Sequence, residues 1–129
     1  MKLYIEMVYL TRRERFNAAH KLWVDDWSEE KNIAWFGKCA NRNWHGHNYE
    51  LWVTVAGEPS KETGFVIDLS ELGRLMKLHV IDKLDHKNID LDVDFMKGIY
   101  SSTENLALHC VKLQETENNY VEYQGQKAR

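Results

Sequence analysis

The sequence predicts an α+β fold in which helices cover one face of an antiparallel sheet. Three observations support this class: one segment alternates well between two faces, one carries a helical stripe of apolar residues, mostly leucines, and the element order is two strands, a helix, a helix and two strands. The 129 residues suffice for one compact domain, and no linker, repeat or low-complexity stretch divides them. We therefore expect a single domain over residues 1–129.

The first half of the chain predicts two strands joined through a short helix. Residues 3–21 are rich in β-forming residues with alternating charge, which predicts a long strand. Ser28, followed by two acids, can cap a short helix that runs to about Phe36, and Gly37 then ends this helix. Residues 45–57 place histidines, tyrosine and aliphatic residues on one face and polar residues largely on the other, which predicts the second strand.

The second half predicts two helices and two more strands. Asp68 caps a helix that ends near Leu84, and residues 101–104 have the form of a capping box that opens a second helix. Strands follow over residues 111–117 and 120–123, with a turn at Asn118 and Asn119. The second helix has only about eight residues, fewer than the ~11–12 of an average helix. Either this helix is unusually short or residues are absent between Cys110 and Val111.

Composition excludes several classes of protein. The net charge is −3, which gives no reason to expect nucleic acid as a partner, although a local basic cluster could serve a small anionic substrate. The two cysteines do not make a disulfide framework, and no apolar run is long enough for a membrane span or resembles a signal peptide. We expect a cytoplasmic protein with reduced thiols and no membrane partner.

The segment His45-Gly46-His47 is the sharpest chemical signal in the chain. Residues two apart on a strand point to the same side, so both imidazoles face one point. His20 ends the first predicted strand and would join them if the two strands pair. Three imidazoles without a fourth protein ligand are typical of a catalytic Zn²⁺ site with an open position. The alternative is that such a His-x-His pair is structural or incidental.

Other candidate residues flank this motif in sequence. Cys39 lies between Lys38 and Arg42, which would favour a thiolate that serves as nucleophile or general base, although a buried inert cysteine is the commoner case. Asp85 next to His86 suits a proton relay, or it is simply a polar helix end.

Two further residues complete the set of candidates. Glu115 is an acid within a predicted strand, where it either binds something or faces solvent. Trp44, beside the histidine motif, is the tryptophan that we expect to line the site.

Several motifs, in order along residues 8 to 125, resemble the 6-pyruvoyltetrahydropterin synthase family, which includes the 6-carboxytetrahydropterin synthases of queuosine biosynthesis. Together they are highly specific, although any one alone would not be. The matching segments are residues 16–20 (FNAAH), Cys39 with 45–49 (HGHNY), 64–69 (GFVIDL), 84–90 (LDHKNID), 102–105 (STEN) and 115–116 (ET).

The resemblance implies a tunnelling fold (T-fold), in which each subunit gives a four-stranded antiparallel sheet with two helices. Subunits would close into trimeric barrels, and two trimers would stack into a homohexamer with active sites between subunits.

The resemblance also implies a role for each candidate residue. His20, His45 and His47 match the zinc ligands of the family. Cys39 matches its general base, and Asp85 with His86 matches an acid–base pair supplied by a neighbouring subunit. Glu115 matches the carboxylate that anchors the amino-pyrimidine edge of the pterin, and Thr103 lies in a segment that helps to bind the ring.

The implied substrate is 7,8-dihydroneopterin triphosphate, and Mg²⁺ would bind its triphosphate group. Elimination of triphosphate with internal redox would give 6-pyruvoyltetrahydropterin, whereas side-chain cleavage would give 6-carboxytetrahydropterin and acetaldehyde. The five residues between Cys39 and His45 resemble the pyruvoyl-forming type. Cys39 also argues against the aldolase-like branch, in which glutamate replaces cysteine. An alternative from another functional class is an inactive module that binds zinc or pterin.

Overall fold

The computed structural model describes residues 6–107 and 112–124, and its centre is a five-stranded sheet with the order β3-β1-β2-β4-β5. Neighbouring strands are antiparallel except β3, which runs parallel to β1. The strands are β1 (Val8–His20), β2 (His45–Gly57), β3 (Lys87–Asn88), β4 (Lys112–Thr116) and β5 (Asn119–Glu122).

The four predicted strands are present, but the prediction of a four-stranded sheet missed β3. With two residues, β3 is too short to show the alternation by which strands are recognised in a sequence. The first strand also begins later than expected, at Val8. The last turn lies at Glu117 and Asn118, one residue earlier than expected.

The helices follow the predicted order, with additional short turns. The long helix after Asp68 is continuous but changes to a π-helical segment in its middle. The helices are α1 (Glu29–Phe36), α2 (Leu69–Met76), the π-helical segment Lys77–Ile81, α3 (Asp82–Leu84), α4 (Ile89–Asp92) and α5 (Thr103–Ala107), with 3₁₀ turns at Gly37–Ala40 and Asp94–Met96. Among the described residues, none of the helices has the length and hydrophobicity that a membrane span requires.

The predicted helix caps are confirmed by hydrogen bonds. The Ser28 side chain accepts a hydrogen bond from the backbone N–H of Lys31 at 3.2 Å, and Asp68 Oδ1 accepts one from the N–H of Ser70 at 2.8 Å. Ser102 Oγ accepts from the N–H of Asn105 at 3.2 Å and so opens α5. These bonds satisfy N–H groups that have no partner within a helix. The position between Cys110 and Val111, where the sequence left open that residues are absent, lies outside the described residues.

Helices cover one face of the sheet and leave the other exposed. Along β1 and β2, the side chains that are buried all belong to one alternating set, because paired residues of the two strands share a face. The apolar core lies between this face and the helices; its buried members are Phe16, Ala18, Tyr49, Leu51, Leu72, Met76, Leu84, Ile89, Val93, Met96, Leu106 and Ala107. The histidines of both strands lie at the end of the same face.

The core should depend strongly on Leu51, whose side chain is completely buried on β2. Leu51→Ala should lower the free energy of unfolding by about 2–5 kcal/mol, because it removes apolar contacts and leaves a cavity. Leu91→Ala makes the same chemical change at an exposed residue and should change it by no more than about 0.5 kcal/mol. Urea unfolding followed by tryptophan fluorescence, at one protein concentration, measures both. Equal losses would contradict this assignment of the core.

Candidate active site

The register of β1 and β2 brings the three predicted histidines together. His20 is the Cα partner of His45, and His47 lies opposite Ala18, so all three share the helix-covered face. One ring nitrogen from each histidine lies within 4.8 Å of the others. This is the one cluster of three or more metal-ligating side chains that the described part of the chain contains. The pairing that the sequence required for a metal site is therefore confirmed.

The ring nitrogens of this cluster are arranged as ligands. His20 Nδ1 donates a hydrogen bond to the backbone carbonyl of Ser101 at 2.6 Å, which leaves Nε2 free to accept or to coordinate. His20 Nε2, both ring nitrogens of His45, and His47 Nε2 are buried and make no hydrogen bond within the described residues. Buried nitrogens without a partner are costly. A metal ion bound by three imidazoles would satisfy three of these four nitrogens, one from each ring.

The surroundings of His45 and His47 favour the neutral form of imidazole that binds metals. Burial lowers the pKa of His45, and the nearby rings of His20 and His47 lower it further, because a second positive charge close by is unfavourable. Burial is also the main cause that lowers the pKa of His47, against an opposing effect of Glu115. Neutral imidazole is the ligand form, so the protein need not lose protons from these two rings to bind an ion.

Glu115 borders the histidine cluster directly. Its Oε1 lies 3.4 Å from Nε2 of His20 and 3.4 Å from Nε2 of His47. The pairing of β4 and β5 shifts register between Gln114 and Thr116, so Glu115 stands at an irregularity of the sheet. The sequence predicted a strand acid that binds something or faces solvent, and the carboxylate turns towards the imidazoles.

One cavity joins half of the predicted site residues. It has a volume of about 460 Å³ and is lined by side chains from β1, the 3₁₀ turn Gly37–Ala40, the start of α5, and the β4–β5 hairpin. Its predicted members are His20, Cys39, Thr103 and Glu115. Cys39 is partly buried and its carbonyl accepts a hydrogen bond from the N–H of Leu22 at 2.8 Å, so its turn is fixed to the end of β1. Of the two basic neighbours of Cys39, Arg42 turns away to Glu29, at 3.6 Å.

Asp85 and His86 lie between α3 and β3 and are attached to the backbone of Asn17. Asp85 Oδ1 accepts a hydrogen bond from the N–H of Asn17 at 3.0 Å, and the N–H of His86 donates to the carbonyl of Asn17 at 2.7 Å. The carboxylate contacts the imidazole as predicted, with Oδ2 2.9 Å from His86 Nδ1. His86 lines a different cavity from Cys39, one that it shares with His47.

Sequence reasoning missed two residues of the site. Ser101 contacts His20 through its backbone carbonyl, a contact that no sequence pattern reveals. Tyr49 is 1% exposed, stacks on Phe16 at 4.9 Å between ring centres, and its hydroxyl makes no hydrogen bond within the described residues. Burial raises its pKa, so the phenol stays protonated. Its position two residues after His47 was the available signal, because alternation places both on one face.

The attachment of Asp85 to β1 has a measurable consequence. Hydrogen bonding from the Asn17 N–H, helped by His86, lowers the pKa of Asp85 below its ordinary value of 3.8. Because the folded state favours the carboxylate, this contribution to stability is present above about pH 4 and is lost as the pH falls below the folded-state pKa. A ¹³C NMR titration of the carboxyl group should show the lowered midpoint. In His86→Ala the midpoint should stay low, because the larger cause remains; an ordinary value in the wild type would contradict the Asn17 contact.

Comparison with known proteins gives one consistent result. The family model described as 6-pyruvoyl tetrahydropterin synthase matches residues 9–113. A 6-pyruvoyl tetrahydrobiopterin synthase of Dictyostelium discoideum is 43% identical over 133 residues, covering 92% of this chain and 97% of the relative. A 6-carboxy-5,6,7,8-tetrahydropterin synthase of Rickettsia bellii is 28% identical, covering 90% of this chain and 99% of the relative.

The architecture agrees with this result. The structure of 6-pyruvoyl tetrahydropterin synthase from Caenorhabditis elegans superposes with a TM-score of 0.86 at 35% identity, covering 97% of this chain and all of the other. The alignment with the Dictyostelium protein is longer than the 129 residues of this chain although it covers only 92% of it. The relative therefore has residues within the aligned region that this chain lacks. By sequence and by fold, the chain belongs to the 6-pyruvoyl tetrahydropterin synthase family.

Proposed function

We propose that this protein is a zinc-dependent lyase that converts 7,8-dihydroneopterin triphosphate to 6-pyruvoyltetrahydropterin with elimination of triphosphate. The observation that carries the proposal is the cluster of three imidazoles, one of which, His20, lines a cavity together with Cys39, Thr103 and Glu115. A metal site, a thiol, a hydroxyl and a carboxylate at one cavity supply the kinds of group that the reaction needs.

His20, His45 and His47 would hold the ion. Three neutral nitrogen ligands without a fourth protein ligand suit Zn²⁺ and leave a position for substrate. The bound ion supplies Lewis acidity, which makes hydrogens on carbons next to the substrate hydroxyls easier to remove. The Ser101 carbonyl fixes the His20 ring so that Nε2 faces the cluster.

The cavity places the remaining groups where a pterin could contact them. The Cys39 thiolate would accept a proton from a side-chain carbon of the substrate. The Glu115 carboxylate would accept hydrogen bonds from the N–H groups of the amino-pyrimidine edge, which recognises the pterin by charge-assisted bonding. Thr103, at the first turn of α5, would contact the ring.

Asp85 and His86 would complete the site from a neighbouring subunit. Asp85 holds the His86 ring through Nδ1 and leaves Nε2 to exchange a proton with the substrate. In one chain, Cys39 and His86 line different cavities, so the two groups face each other only if subunits combine. We propose a homohexamer built as a dimer of trimers, in which the sheets close into barrels.

The proposed conversion needs no external reductant or oxidant. Elimination of triphosphate from the terminal carbon leaves an enol that becomes a methyl ketone. The hydroxyl-bearing carbon next to the ring is oxidised to a carbonyl, while the C=N bond of the dihydropterin ring is reduced. The hydrogens released at the side chain are thus taken up by the ring, and acid–base groups alone can move the protons. We propose that the reaction takes place in the cytoplasm, with Mg²⁺ on the triphosphate.

A second candidate is the carboxy-forming reaction, which releases acetaldehyde from the same substrate. The spacing of Cys39 and His45 favours the pyruvoyl reaction, as does the higher identity to the Dictyostelium enzyme than to the Rickettsia enzyme. The candidate of another class is an inactive module that binds zinc or pterin without turnover.

The deciding experiment incubates zinc-loaded protein with 7,8-dihydroneopterin triphosphate and Mg²⁺ and measures the pterin mass and acetaldehyde together. We expect the pyruvoyl product without acetaldehyde. Carboxypterin with acetaldehyde would support the second candidate, and absence of turnover the inactive module. His45→Ala should stay folded and lose both bound zinc and activity; loss of the fold would instead identify a structural metal.

The role of Cys39 can be tested separately from metal binding. Cys39→Ser should lower kcat by about 10²–10⁴-fold, because it removes the proposed general base. The zinc content should not change, since Cys39 is not among the three clustered ligands. Cys110→Ser makes the same change at the other cysteine and should retain activity. Equal effects of the two substitutions would contradict a specific role for Cys39.

A further inference from the structure

We propose that Asp90 is a positioning residue that holds the two metal-bearing strand ends together, with Lys21 and Trp44 as its partners. We call these three residues the Asp90 latch. The inference rests on the metal site proposed above and adds a residue to which no role has been given so far, although it ends the segment 84–90. It would act on the geometry of the ligands and would not touch the ion.

A single carboxylate oxygen of Asp90 joins the two strands. Asp90 Oδ2 accepts a hydrogen bond from the backbone N–H of Lys21 at 2.9 Å and another from Nε1 of Trp44 at 3.0 Å. Lys21 directly follows His20, and Trp44 directly precedes His45. The two histidines are register partners at the last pair of the β1–β2 ladder. Asp90 therefore connects β1 and β2 next to the last pair of the ladder, where the two metal ligands lie.

Trp44 has an unfavourable backbone conformation, and the contact with Asp90 helps to hold it. Trp44 has a φ of 63°, a left-handed conformation that is rare for a bulky residue. Such a conformation persists where the surroundings fix it. The indole N–H is held by Asp90, and Lys21 Nζ lies 4.3 Å from the ring centre, within cation–π range. The ring that we expected to line the site is instead fixed beside it.

Asp90 is itself held in place by the fold. Its backbone N–H donates to Asn88 Oδ1 at 3.0 Å at the start of α4, and the preceding Ile89 is fully buried. On the other side, Ser101 accepts from His20 through its carbonyl, and its hydroxyl donates to the carbonyl of Lys21 at 3.2 Å. The end of β1 is thus fixed by Ser101 as well as by the latch. At the start of β2, the latch is joined by one backbone hydrogen bond, from the N–H of Trp44 to the carbonyl of Asn41 at 3.0 Å, and the His45 ring has no hydrogen bond within the described residues.

Removal of the latch should therefore loosen His45 more than His20. If the His45 side chain must become ordered when the ion binds, the affinity for the ion falls, because the ordering costs conformational entropy. Loss of partners that orient metal ligands weakens binding by about 10–100-fold, and we expect about tenfold here because the contacts are one residue removed from the ligands.

The test measures the affinity for Zn²⁺ by competition with a chromophoric chelator and the visible absorption spectrum of the Co²⁺-loaded protein, which reports ligand geometry. Asp90→Ala should weaken Zn²⁺ binding about tenfold and change the Co²⁺ spectrum. Asp90→Asn keeps an oxygen acceptor and should restore most of the affinity. Asp92→Ala is the matched control, because Asp92 also accepts a backbone hydrogen bond, from the N–H of Asn88 at 2.9 Å, and does not hydrogen-bond the N–H of Lys21 or the indole of Trp44.

A second variant separates positioning from stability. Trp44→Gly removes the indole, and with it the contact to Asp90, but glycine adopts the left-handed backbone without strain. We therefore expect a clear loss of Zn²⁺ affinity with little loss of thermal stability. It also decides the question if Asp90→Ala fails to fold. Wild-type affinity and spectrum in folded Asp90→Ala or in Trp44→Gly would overturn the latch while leaving the metal site intact. Absence of Zn²⁺ binding in the wild type would overturn both.

Discussion

The antiparallel register of β1 and β2 is the constraint on which the rest of the site depends. Thirteen consecutive pairs run from Val8 opposite Gly57 to His20 opposite His45. A slip of one residue would turn the histidines of one strand to the opposite face, because side chains alternate with a period of two. Burial of Phe16 and Leu51 on the helix-covered face opposes such a slip. The apolar core therefore sets the position of the histidines without touching the ion they would bind.

The polar cluster is built into an environment that does not favour it in isolation. Several ring nitrogens are buried without hydrogen bonds among the described residues, and burial keeps His45 and His47 neutral by lowering their pKa. Burial of these ring nitrogens lowers the stability of the fold unless another group forms bonds with them. Their arrangement follows the logic of a binding site, in which groups that destabilise the free protein are stabilised by the ligand they hold.

Sequence patterns predicted the parts of this protein that local rules determine. The caps at Ser28 and Asp68 and the strand that carries His45 and His47 were all accessible, because each depends on residues a few positions apart. The strand β3 and the contact from Trp44 to Asp90 were not, since two residues carry no period and the contact spans 46 positions. A sequence pattern predicts which side chains share a face, but only the three-dimensional structure shows which distant carboxylate contacts them.

The two sides of the proposed site differ in how far one chain completes them. Glu115 and Thr103 border the cavity next to His20 and are at most partly exposed, whereas the His86 side chain is 76% exposed and lies at the edge strand β3. A proton relay works best where bulk water is excluded, since fixed groups then control the path of the proton. An exposed imidazole held rigidly by Asp85 and Asn17 has a fixed geometry but lacks cover. A neighbouring subunit that packs against this edge would supply the cover, so the assembly we propose and the relay we propose require each other.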